Sequence, residues 1–187
     1  MPTATANVLS RADVSHWDID PSHSSVHFSV RHLMISNVRG EFTRLSGSVT
    51  IDPRDIARST VQVTIDAASV NTRDEKRDEH LRSADFLDAS NYPTIEFRST
   101  RVTPKAGGSI QVAGDLTIRG VTREVLLDVE DNGELKDPWG NTKRGATATT
   151  RLNRKDFGLQ WNVALETGGF VVGDDLKVDI EVELLKK

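Results

Sequence analysis

At 187 residues, 28% of them charged, with a net charge of −4 and no cysteine, the chain fits a single domain and excludes disulfides, thiolate metal sites and cysteine nucleophiles. Its 24 basic residues are scattered among 28 acidic ones, which argues against nucleic acid as a partner, because phosphate binding calls for a basic surface or stripe. No run approaches the ~20 apolar residues of a membrane-spanning helix.

Residues 1–14 read as a flexible polar arm ahead of one domain over 15–187. The arm lacks the basic start and apolar core of an export signal, so a cytoplasmic location is expected. Val26, Phe28 and Val30 then alternate with polar residues, and a second alternating run extends from Val38 to Ile51, with Gly40 and Gly47 as expected bulge or bend positions. Asp52-Pro53-Arg54-Asp55 ends it as a turn, and Val61, Val63, Ile65 and Ala67 form the next one-faced strand. The run from Asn71 to Pro93 breaks this period. It is heavily charged, it places Thr72 three residues before Glu75 in the spacing of a capping box, and it offers Leu81, Phe86, Leu87 and Tyr92 as apolar anchors. A short helix over about 72–83 is predicted, docked at a rim where it covers or gates an interior. Strands resume with Ile95 and Phe97, then with Ile110, Val112, Leu116 and Ile118, then Val125, Leu127 and Val129, and last Leu176 to Leu184. Glycine, proline and asparagine punctuate these runs as in an antiparallel meander.

About eight long strands with one apolar face each leave a sandwich or a closed barrel, and their length and glycine content favour the barrel. The expected fold class is all-β: an antiparallel up-and-down barrel with one inserted helix. Its inward set mixes Phe28, Phe97 and Leu116 with Ala67, Ser99 and Gly114, which predicts an elongated apolar cavity.

Polar candidates for chemistry are few. His23, His27 and His32 are close in sequence, but the odd separation of the last two puts them on opposite faces of a strand, so structural roles are expected and no metal site is predicted. His32 shares the face of Phe28 and Val30 and is the polar candidate for a ligand head group. The pairs Asp85 with Asp88 and Asp174 with Asp175 fall at turns or a helix end, where capping explains them better than acid–base catalysis in a sugar cleft. Neither a nucleophile elbow nor a phosphate loop is present. Arg154 either pins the barrel through a carboxylate or binds an anionic head group, and the pin is preferred. Phe157, Leu159 and Trp161 alternate, which predicts one inward-facing strand, whereas Trp17 and Trp139 read as peripheral.

The order of several motifs resembles one family. They are Trp17-Asp18-Ile19-Asp20-Pro21-Ser22-His23-Ser24 leading to Val26-His27-Phe28-Ser29-Val30-Arg31-His32, then Val38-Arg39-Gly40-Glu41-Phe42, and His80-Leu81-Arg82-Ser83-Ala84-Asp85-Phe86-Leu87-Asp88 with Tyr92-Pro93-Thr94-Ile95-Glu96-Phe97. Gly114-Asp115-Leu116-Thr117-Ile118-Arg119-Gly120-Val121-Thr122 and Asn153-Arg154-Lys155-Asp156-Phe157-Gly158-Leu159 complete the series. In this order they resemble the YceI-like family, also called polyisoprenoid-binding or lipid-binding, across roughly residues 16–185. The resemblance implies a lipocalin-like barrel that holds a long isoprenoid or acyl chain without catalysis or cofactor. Many relatives carry an export signal, which this chain does not show.

The expected partner is therefore a long-chain amphiphile: a quinone, a prenyl diphosphate or a fatty-acid derivative. Alternation assigns its contacts to Phe28, Val30, Phe42, Ile65 and Phe97, with His32 as the polar member, and to Leu116, Ile118, Leu127, Phe157 and Trp161 further along, and the helical segment adds its anchor Phe86. Two rival readings stand beside this one. An enzyme could act on a lipid head group at the barrel mouth through His80, Arg82 or Asp85, or a solid-cored module could bind a protein partner through its helix. A homodimer is an open expectation, since a barrel mouth or strand edge can pair with its twin.

Overall fold

The computed structural model describes residues 13–187, so most of the expected 1–14 arm lies outside the described residues. Eleven strands and one helix follow in chain order: β1 (Ser15–Ile19), β2 (Ser25–His32), β3 (Ser36–Phe42), β4 (Leu45–Ile51), β5 (Thr60–Asp66), β6 (Val70–Asn71), α1 (Glu75–Arg82), β7 (Thr94–Pro104), β8 (Ile110–Ile118), β9 (Val121–Lys136), β10 (Thr142–Asn153) and β11 (Val172–Lys186). Neighbouring strands are antiparallel, in the order β1-β4-β5-β7-β8-β9-β10-β11, and β11 returns to β1. Eight strands thus close a barrel, as the long, one-faced runs predict.

The remaining three strands branch from β11. That strand serves two neighbours: residues from Val172 to Glu181 pair with β2, whereas Leu184 to Lys186 pair with β1. β2 continues into β3, and β3 meets only the two-residue β6, through Glu41–Asn71 and Phe42–Val70. At this end the wall is completed by the charged 71–93 segment. Arg82 ties it to Ala68 O and Val70 O at 2.8 and 3.0 Å, while the β8–β9 turn reaches it through Arg119 Nη1 and Phe86 O at 3.2 Å. The segment therefore crosses the barrel mouth from β6 to the β8–β9 turn. The opposite mouth carries the long β9–β10 hairpin, whose register shifts between Gly145 and Ala146.

Several sequence expectations are corrected by local geometry. The helix begins at Glu75 rather than near Thr72, and its N-cap is Asp74, which accepts from the Arg77 amide. Arg73 has a φ of +63°, a left-handed turn that separates Thr72 from the helix. Thr72 is instead buried, and its amide and hydroxyl both donate to Asp78 Oδ1 at 2.8 and 2.5 Å, while its own oxygen accepts from Arg77 Nε at 2.7 Å. Glu75 stays exposed, so no capping box forms.

Gly40 and Gly47 sit in regular ladders and not at bulges or bends. They are needed for close approach: a Cβ at Gly40 would lie 2.5 Å from the Phe28 ring, and one at Gly47 would lie 2.3 Å from the Gln62 carbonyl oxygen. Trp17 is not peripheral but 1% exposed, because β1 is flanked by both β4 and β11, and it packs in a second cluster with Ile19, Leu45 and Leu184. Trp139, in a turn, is 83% exposed as read from the sequence. The expected strand over Phe157, Leu159 and Trp161 is instead a 3-10 turn, Arg154–Phe157, capped by Asn153 and ended by Gly158 at a φ of +76°.

Acid stability follows from the carboxylates that fasten the loops. The Ser22 hydroxyl and His23 hold the Asp20 carboxyl well below the usual range, the Arg44 guanidinium does the same for Asp66, and the Arg54 amide for Asp52. Each group has a folded pKa below its unfolded one. Its contribution is therefore complete above the ordinary carboxylate range of about 4 and is lost as pH falls below it. The melting temperature is expected to stay level from neutral pH down to about pH 5 and to fall steeply below about pH 4, which a thermal melt series in matched ionic strength checks.

A capped apolar cavity as the candidate functional site

Alternation along every strand turns one row of side chains inward, and together these rows border a cavity of about 340 Å³ with an almost wholly apolar lining. It extends from the mouth crossed by α1, where Leu81, Phe86 and Leu87 reach it, to the hairpin mouth, where Ile56, Ser59, Asp131 and Arg144 border it. Phe28 tilts against Phe42 with ring centroids 5.7 Å apart. Both rings lie near the branch, where Gly40 makes room for Phe28.

Every residue expected to meet a ligand borders this cavity except His32 and Trp161. His32 lies one inward position beyond Val30, at the tip of β2, where it pairs with Ser36 and Val172. The lining ends at Val30 and Val172, so His32 sits past the cavity's edge. Trp161 follows Gly158 in the irregular stretch after β10 and packs from outside the lining, 4.7 Å from the His80 ring and 5.3 Å from Phe86. It supports the cap. Leu176, Val178 and Ile180 on β11 border the cavity too: alternation marks them as the apolar face of the closing strand, but the expected contacts do not include them. The sequence carried no signal for the Asp131–Arg144 pair, which depends on the bulged hairpin register.

The charged groups that border the cavity, Asp131, Arg144 and Arg154, are already matched. Arg154 is 5% exposed and spends its guanidinium on the chain itself: Nε donates to Gly173 O at 2.8 Å, and Nη1 donates to Leu159 O at 2.6 Å and Trp161 O at 2.9 Å. Nη2 reaches Val172 O at 3.4 Å and Asp174 Oδ1 at 3.2 Å. Burial lowers its pKa and Asp174 opposes that, leaving the group cationic at neutral pH. This is the structural pin, with no donor turned toward a head group. At the hairpin mouth Arg144 binds Asp131 through both Nε and Nη2 and approaches Glu134 at 3.7 Å. Burial raises the Asp131 pKa, but the Arg144 hydrogen bond, the Gly133 amide and the Arg144 charge together outweigh it and hold the carboxyl below its ordinary value.

The other polar candidates are likewise engaged. Asp85 accepts from His80 at 2.8 Å, Asp88 from Asn91 at 3.0 and 3.1 Å, and Asp175 from Asn153 at 3.3 Å. His27 faces Glu41 at 3.8 Å, apart from the other two histidines. Among the described residues, Asp20, His23 and Glu183 bring ligand atoms within 4.8 Å of one another. The Lys143 ammonium lies 2.5 Å from Glu183 and 3.5 Å from Asp20 and supplies the cation there.

Comparison with known proteins agrees with this architecture. A family model described as the YceI-like domain matches residues 17–184. A UPF0312 protein of Vibrio cholerae is 40% identical over 183 residues, covering 97% of this chain and 92% of that protein, and one of Staphylococcus aureus is 38% identical over 171 residues, covering 91% and 97%. The crystal structure of a Campylobacter jejuni YceI protein superposes with a TM-score of 0.71 at 35% identity, covering 84% of this chain and 90% of that one. A polyisoprenoid-binding domain from Saccharophagus degradans shares the fold, with a TM-score of 0.66 at 16% identity over 91% of this chain and 98% of that one. A closed barrel with its branch and cap, matched by the family model from end to end, shows that the chain belongs to the YceI-like family.

Proposed function

We propose that the protein is a non-enzymatic carrier that encloses one long-chain isoprenoid or similar amphiphile in its barrel. The observation that carries this reading is the contrast between an almost wholly apolar lining and the few charged groups that border it, Asp131, Arg144 and Arg154, which are paired with the protein's own atoms. A hydrocarbon needs no polar partner: each methylene removed from water contributes about 0.8 kcal/mol, so a tunnel alone supplies affinity. The name of the Saccharophagus degradans neighbour points to the same ligand class. Catalysis at the mouth is disfavoured, because Arg82 is committed to Ala68 O and Val70 O, and His80 and Asp85 to each other.

Incubation with a long-chain prenyl alcohol, a quinone and a fatty acid, each in turn, should raise the melting temperature for at least one of them. The recovered lipid should have unchanged mass by mass spectrometry. A chemically altered product would replace the carrier with an enzyme, and no thermal shift with any of the three would favour the solid-cored interaction module.

A further inference from the structure

The cavity explains the inward faces but not the apolar side chains exposed at the β2–β3 connection. The β2–β3 connection presents Leu33, Met34 and Ile35 to solvent, with Met34 58% and Ile35 79% exposed. Phe170, 51% exposed, and Val163, 49% exposed, belong to the neighbouring 163–171 loop. The two segments form one surface. The Leu33 amide donates to Val171 O at 2.9 Å, the Val171 amide donates to Val163 O at 3.0 Å, and Met34 lies over Gly169, its Cγ 3.3 Å from where a Cβ there would stand.

Two properties set this surface apart from scattered exposed apolar residues. Leu33 and Met34 have φ angles of +50° and +63°, a turn conformation that asparagine and glycine occupy more easily. Backbone strain is thus accepted to hold apolar side chains in water, the reverse of what folding favours. The charge is also one-sided. Arg31, whose Nη2 donates to Met34 O at 3.1 Å, and Arg39 flank the tip, and Glu166 is the one acid within 31–39 and 163–171, in a chain whose net charge is −4; Lys155, 5.9 Å from the Phe170 ring, is paired with Asp174 at 2.9 Å. Apolar tips framed by cations match the boundary of an anionic bilayer, where the tips enter the acyl edge and the cations meet phosphates. The location fits as well: the tip adjoins Val30 and Val172, at the mouth that the α1 segment crosses.

We propose that this tip docks the barrel on an anionic phospholipid surface with its capped mouth toward the bilayer. The surface lies outside the cavity, so its test does not depend on what the barrel holds. The full chain is sedimented with vesicles of phosphatidylcholine alone and of phosphatidylcholine mixed with phosphatidylglycerol. Binding is expected to the mixed vesicles only. Met34→Ser with Ile35→Ser should weaken it at least about tenfold, and Arg31→Gln with Arg39→Gln about tenfold, with the residual binding less sensitive to salt. Met34→Gly supplies a control against folding damage: it relieves the positive φ, so the melting temperature should hold or rise while vesicle binding falls. Absence of the wild type from the mixed-vesicle pellet would overturn the proposal, as would unchanged binding of the serine variant. So would sedimentation velocity showing a wild-type dimer that the serine substitutions split, without vesicle binding, which would make the tip a contact with a second copy.

Discussion

Replacing Arg154 with leucine should cost about 3–5 kcal/mol of stability and lower the melting temperature by roughly 6–20 °C for a chain of this size. The guanidinium holds four backbone carbonyls, from Leu159, Trp161, Val172 and Gly173, together with the Asp174 carboxylate. An apolar replacement of similar reach can sometimes take over a buried ion pair at little cost. Here it would leave carbonyls without donors in a buried corner, and each such group costs about 1–3 kcal/mol. Those carbonyls belong to the start of β11 and to the irregular stretch after β10, so the loss should appear there first. Amide exchange of residues 159–173 is expected to accelerate before that of β7 and β8. Thermal melts with exchange mass spectrometry test this, and a melting temperature within a degree or two of wild type would show that Arg154 does not pin the barrel.

A second large effect is expected from filling the cavity. Ala148 on β10 is buried and borders the interior, its ladder neighbours Val129 and Ile180 also lining it. In a solid core, Ala148→Trp would force overpacking that costs about 1–3 kcal/mol or more. In a hollow barrel the indole enters the empty space. Lipid retention should then fall from near one per chain to almost none while the melting temperature changes little. The paired readout is decisive because the two interiors predict opposite results: a collapsed melting temperature identifies a solid core, and an intact fold without lipid identifies an occupied cavity.

The barrel was legible in the sequence because burial on one face of a strand leaves a period of two, and Phe28 with Val30, Val61 to Ile65 and Leu116 with Ile118 all show it. The cap was legible for the opposite reason: the charged run 73–80 cannot lie in a core, and its apolar anchors Leu81, Phe86 and Leu87 had to meet something. What stayed hidden depends on pairing between distant segments. Alternation says nothing of β11 being shared by β1 and β2, which is what buries Trp17 and opens the mouth that the cap crosses. It also fails where regular structure stops. Gly158 and the 3-10 turn before it rotate Trp161 off the lining, and the end of β2 carries His32 past it. Side chains that act through the backbone, such as Thr72 on Asp78 and Arg154 on its carbonyls, leave no periodic trace.

Denaturing solvent extraction of the purified protein, with native mass spectrometry for stoichiometry, tests the central claim most directly. The account predicts one long-chain isoprenoid or acyl amphiphile near one per folded chain, released only on unfolding. A chain that proves empty in both measurements and takes up no prenyl or acyl lipid when these are supplied would contradict it.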